Sequence, residues 1–160
     1  MGPRQSAIHI TNRTKGYILR DPRRYLVSGN CQIPLPATLG PSECDIALFS
    51  KTDGTARGSV GVFTYDLYDK SANRAYKKIA VMFSVPFDYN LSSNWYAVGV
   101  FDRKTNCDND LYDKMYYSDE RGFVRGKAGD HDLTYTDDDV TVKSSMTNSS
   151  VATLKVDVHN

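Results

Sequence analysis

Two stretches of this 160-residue chain carry side chains suited to gripping a small amphipathic ligand. In the first, residues 81–96, a strand pattern runs into Ser84. A loop then displays Phe87, Tyr89, Trp95 and Tyr96 among small polar residues. In the second, Asp108–Tyr117, Tyr112 and Tyr116 stand four apart and Tyr117 follows. Aromatic rings with one polar end suit a membrane–water boundary or an amphipathic ligand. Tyrosine faces around a hollow attract a quaternary ammonium through cation–π interaction. Tyr and Ser hydroxyls, with loop backbone N–H groups, satisfy a phosphate. Together these groups have the chemistry to hold a phosphocholine head group, a zwitterion that requires no net charge on the protein. Tyrosine at a helix–sheet margin also serves simple packing, and eleven tyrosines make it a common residue here. Sequence alone does not bring the two stretches together.

The elements that must position these residues read mostly as strands: short alternating or β-branched runs between turn residues. Strands are predicted over 7–11, 17–20, 24–27, 45–50, 58–68, 75–85, 95–102, 123–127, 134–135, 140–144 and 151–158. Residues 151–158 alternate cleanly, with Val151, Thr153, Lys155 and Asp157 opposite Ala152, Leu154, Val156 and Val158. Pro34 to Pro41 reads as a loop that proline keeps out of any central strand. One helix is predicted over 108–117. Asp108 is its N-cap, acids fill its first turn, and Leu111 and Met115 share a buried face. Tyr112 and Tyr116 should pair at the edge of that face. The predicted fold class is all-β with minor α: a compact β-sandwich flanked by one or two short helices, forming a single domain over 1–160.

Composition narrows the function. The chain has 20 Lys+Arg against 19 Asp+Glu, a net charge of +1. That gives no general drive toward nucleic acid, which is not expected as a partner. Basic residues prevail in 1–80 (12 against 6) and acidic ones in 81–160 (8 against 13), which mutual neutralisation within one sheet system accounts for. No apolar run is long enough to span a bilayer as a helix. The first five residues have no apolar core and do not read as a signal peptide. Cys31, Cys44 and Cys107 have no metal-ligand spacing and are expected as free thiols, with Cys31 and Cys44 able to pair only in a secreted protein. Sequons stand at Asn12, Asn90 and Asn148, and a glycan on Asn90 would block the aromatic loop. These points favour a cytosolic or peripheral-membrane setting. No enzyme signature, cofactor motif or metal site appears. His9, His131 and His159 are scattered, and Asp137-Asp138-Asp139 reads as a solvated turn rather than a calcium loop.

The chain resembles the actinoporins, the sphingomyelin-dependent pore-forming cytolysins of sea anemones, from about Ala7 to Val158. The most specific pieces are Met82–Tyr89 with Ser93-Asn94-Trp95, the helix ending in Tyr116-Tyr117, and Gly58–Val62. Stretches such as 10–14 and 122–125 are closer still to the actinoporin-like proteins of fish. The resemblance implies a phosphocholine pocket at Ser28, Val60, Ser84, Pro86, Tyr112, Tyr116 and Tyr117, all of which keep the family residue. It implies a membrane interface at Phe87, Tyr89, Leu91, Trp95 and Tyr96. Expected partners are sphingomyelin or phosphatidylcholine at a membrane surface, with self-association there.

The departures weigh against full actinoporin behaviour. Leu91 and Ser92 stand where the family has an inserting Trp and Tyr, and Tyr96 stands where a second tryptophan is usual. Val27 replaces an arginine before the pocket serine, and Arg121-Gly122-Phe123 replaces Arg-Gly-Asp. Interfacial anchoring should weaken by about 1–3 kcal/mol per large side chain lost from full burial. Actinoporins perforate with an amphipathic N-terminal helix. Only six residues precede the first predicted strand, so the expected domain lacks that helix. Two alternatives remain open: a lectin of the fungal fruit-body type, with the tyrosines stacking on glycans, and a protein-interaction domain whose aromatic loop meets a partner.

Overall fold

The computed structural model describes residues 3–88 and 92–160. Two six-stranded sheets pack face to face. The first holds β1 (Gln5–Asn12), β3 (Asn30–Ile33), β5 (Cys44–Ser50), β10 (Leu133–Thr136), β11 (Thr141–Met146) and β12 (Val151–His159), in the order β10-β11-β12-β1-β5-β3. The second holds β2 (Tyr17–Ser28), β4 (Thr38–Leu39), β6 (Ser59–Asp69), β7 (Arg74–Val85), β8 (Trp95–Asp102) and β9 (Phe123–Lys127), in the order β4-β2-β6-β7-β8-β9. Within these sheets β1 and β12 run parallel, and the other pairs are antiparallel. Helix α1 (Asn109–Tyr117) lies on the outer face of the second sheet.

Sequence pattern and burial agree where one face is wet. Along β1, Ser6, Ile8, Ile10 and Asn12 turn inward; along β12, Ala152, Leu154, Val156 and Val158 do so. The central strands β6 and β7 are buried on both faces, because the first sheet covers one and α1 the other. One core fills the space between sheets, with Phe49 stacked on Phe83 at 5.1 Å. A smaller one lies under the helix and joins Leu111, Tyr112 and Met115 to Val62, Ala80, Met82, Ala97 and Phe123. Asp108 caps the helix as predicted, its carboxylate accepting from Leu111 N at 3.0 Å.

Two features differ from the predicted elements. Runs 17–20 and 24–27 belong to one strand, because a bulge at Asp21 (φ 53°) carries the chain past Pro22 without ending the ladder. Two short edge strands, β3 and β4, were not predicted, and β4 interrupts the proline-flanked loop. The Asn12 sequon is fully buried. Its amide donates to Tyr17 O and Leu39 O at 2.9 Å each and accepts from Thr14 N and Thr14 Oγ1, so folding closes this site to a glycan. Cys31, Cys44 and Cys107 are free.

Candidate functional site

Strand pairing places the predicted residues in one line. Ser28 faces Val60, Val60 faces Ser84, Ser84 faces Trp95, and Trp95 faces Lys127. Directly paired residues share a face, and Val60 packs with the core beneath α1. The row therefore crosses β2, β6, β7, β8 and β9 on the face that carries the helix. Its register depends on the close approach of β7 to the chain entering β6. A Cβ on Gly58 would lie 2.0 Å from Val85 O and 3.0 Å from Pro86, so no larger residue fits there.

The helix sets its tyrosines against this row. Tyr112 is buried on the sheet-facing side of α1, with its phenol close to the Ser84 hydroxyl. Burial pushes the Tyr112 phenol well above its ordinary range, with smaller contributions from Tyr116 and other neighbours, so it stays protonated. Tyr116 stacks on Tyr112 with ring centroids 5.6 Å apart and planes at 20°. Tyr117 meets Tyr116 edge-on at 4.7 Å and is 72% exposed. The predicted Tyr112–Tyr116 pair forms, but the two rings spend a face on each other instead of both framing a hollow. A staircase results: a buried hydroxyl at Ser84, a half-buried ring, and an exposed ring. Ser28, half-buried, donates to Gly58 O at 3.0 Å.

Pro86 lies two residues beyond Ser84, past the end of β7, where its carbonyl accepts from Arg4 Nε at 3.1 Å. Arg4 also donates twice to Phe87 O, through Nε at 3.1 Å and Nη2 at 2.7 Å. The Phe87 ring, half-buried, sits under the Arg4 guanidinium at 5.7 Å and the Lys51 ammonium at 5.3 Å. Trp95 is half-buried beside Ser84. Tyr96 does not belong to an interface. It is 0% exposed within the inter-sheet core, with its hydroxyl donating to His131 O at 2.9 Å. Strand alternation is the reason, since neighbours on β8 point to opposite faces. Tyr89, Leu91 and the Asn90 sequon lie outside the described residues.

Three residues that shape this face were not singled out by sequence. Arg4 holds the segment after β7. Lys127 ends the row beside Trp95. Arg125 reaches across from β9 and donates to Met115 O at 3.1 Å and Ser118 O at 2.6 Å, closing the helix C-terminus that carries Tyr116 and Tyr117. Only the last left a signal in sequence, since helix C-termini attract cations, but the partner comes from a distant strand. No group of three His, Cys, Asp or Glu side chains among the described residues is arranged to hold a metal ion.

A sandwich of two sheets with a helix laid over an aromatic shelf is the architecture of an actinoporin-like protein, and comparison with known proteins agrees. The family model described as sea anemone cytotoxic protein matches residues 3–160, so the chain belongs to that family, the actinoporins. Bryoporin of Physcomitrium patens is 32% identical over 97% of this chain and 83% of its own length. DELTA-alicitoxin-Pse1b of Phyllodiscus semoni is 40% identical over 58% of this chain, an alignment that covers 38% of the toxin. Among solved structures, the lipid binding protein Nakanori superimposes with a TM-score of 0.74 over 96% of this chain and 70% of its own, at 15% identity, a likeness of fold. These matches do not favour the carbohydrate-binding alternative.

Proposed function

We propose that this protein recognises phosphocholine-bearing lipids, sphingomyelin or phosphatidylcholine, at a membrane surface. The head group would sit on the shelf of Ser28, Val60, Ser84, Pro86, Tyr112, Tyr116 and Tyr117. One observation carries the reading: four separate segments bring a three-residue strand row and a tyrosine staircase onto one face. The exposed ring of Tyr117 and the half-buried ring of Tyr116 offer aromatic surface to a quaternary ammonium. Hydroxyls of Ser28 and Ser84 lie on the adjoining row for a phosphate. Phe87 and Trp95, with Tyr89 and Leu91, would rest at the interfacial level. Membership of a cytolysin family supports a membrane target. Among the described residues no helix is long and apolar enough to cross a membrane.

The test is sedimentation with liposomes of phosphatidylcholine, with and without sphingomyelin, beside Tyr112→Ala/Tyr116→Ala and the milder Tyr117→Ala. Binding by the parent chain that free phosphocholine displaces, and that Tyr117→Ala weakens, is the expected result. Absence of binding to either liposome would sink the reading. Displacement by simple sugars instead would replace it with a lectin.

A further inference from the structure

The outer face of the second sheet carries another feature, away from the tyrosines. Arg20, Asp66 and Lys78 occupy one cross-strand row. On β6 this row lies six positions beyond Val60, roughly 20 Å along the strand, with α1 between. Around it two adjoining cavities open, of about 530 and 240 Å³, which share Asp21, Asp66 and Arg103. Arg23, Lys78 and Lys104 line the larger lobe, Arg20 and Arg74 the smaller, and Arg103 stands between them. Six cations thus face two carboxylates, a local excess of four in a chain whose net charge is +1.

The charges here are incompletely matched. Lys78 is 7% exposed and is held by Thr105 O at 2.7 Å, with Asp66 at 3.9 Å. Arg20 Nε is buried without a hydrogen bond, its nearest anion being Asp21 at 3.5 Å. Among the described residues, the side chains of Arg23, Arg103 and Lys104 make no ion pair or hydrogen bond. Three uncommitted cations beside a buried, satisfied lysine leave a floor fixed in place and a rim free to engage a ligand. Guanidinium groups match phosphate oxygens two at a time, and the combined volume falls in the range of small-molecule sites.

We propose that this two-lobed basin binds an anion bearing at least two phosphate groups, one in each lobe, with Arg103 bridging them. The site is separate from the tyrosine shelf: with α1 between them and roughly 20 Å of strand, one head group does not reach both. A soluble polyphosphate and the phosphorylated head group of a lipid share this chemistry.

Isothermal titration calorimetry at physiological salt with inorganic tripolyphosphate and with inorganic phosphate tests the proposal. Vesicles of phosphatidylcholine with and without phosphatidylinositol bisphosphate distinguish a lipid source. Tripolyphosphate should bind at one site and more tightly than phosphate. Arg23→Ala/Arg103→Ala should weaken it by about tenfold or more, since hydrogen bonds to charged groups are lost. Lys104→Glu should act in the same direction. Arg13→Ala/Lys143→Ala, which removes equal charge elsewhere, should leave affinity unchanged, as should Tyr117→Ala at the exposed end of the shelf. No saturable binding, equal affinity for phosphate, or an equal loss in the charge-matched control would overturn the proposal. Because the tyrosine variant reports on the shelf alone, each reading can fail without the other.

Discussion

Ser84 shows how much one position in the ladder decides. It is held by Val60 on one side and Trp95 on the other, and Tyr112 covers it from above. Tyr112→Ala removes a ring buried between the helix and the sheet. Denaturant unfolding should record a loss of about 3–5 kcal/mol. Tyr117→Ala removes an exposed ring, so its unfolding free energy should stay within about 0.5 kcal/mol of the parent, while liposome binding falls. A comparable stability loss in both variants would mean that Tyr117 is a packing residue and not a contact surface.

At the scale of elements, the shelf depends on how α1 is finished at both ends. Asp108 supplies the N-terminal acceptor, and Arg125 closes the C-terminal carbonyls from another strand. Asp108→Ala should cost about 1 kcal/mol. Arg125→Ala should cost about 2 kcal/mol, because two charge-assisted bonds disappear together. Only Arg125→Ala should also raise amide exchange at Met115–Ser118 and weaken liposome binding, since the helix end carries Tyr116 and Tyr117. Equal exchange protection in the parent and in Arg125→Ala would show that packing of Leu111 and Met115 holds the helix by itself.

Across the whole molecule, the two sheets are tied by polar contacts as well as by the core. Asn94, fully buried, donates to Thr147 O and Ser149 O, linking the entry of β8 to the turn between β11 and β12. Lys77 on β7 pairs with Asp137 beyond β10 at 2.5 Å. The Lys77 hydrogen bond holds the Asp137 carboxyl below its usual 3.8 and lifts the Lys77 ammonium above its usual 10.5. For Asp137, a lowered folded value means a contribution that is complete above pH 3.8 and fades as pH falls through the folded value. For Lys77, a raised folded value means a contribution complete below pH 10.5 and lost as pH climbs through the folded value above it. The difference in melting temperature between the parent and Asp137→Asn should therefore be widest near neutrality and shrink in acid. A difference constant down to pH 2 would place the stabilisation in shape rather than charge.

The sequence by itself determined the elements whose side chains alternate or cap locally. β1 and β12 are legible because one face is wet and one is dry, and α1 because Asp108 and the Leu111–Met115 spacing act within two turns. It also placed Tyr112 against Tyr116, since four residues are one helical turn. It did not reveal β3 and β4, which are short edge strands held by single neighbours. It read β2 as two pieces because Pro22 resembles a stop until a bulge absorbs it. The fate of Tyr96 turned on which parity of β8 faces the core, and pairing with Phe83 settled that. The row from Ser28 to Lys127 and the basin around Lys78 exist only through register between strands far apart in the chain. Local pattern acts over a few residues, whereas register is fixed by turns, bulges and burial summed over the whole sheet. Only the tertiary structure therefore decides which side chains become neighbours.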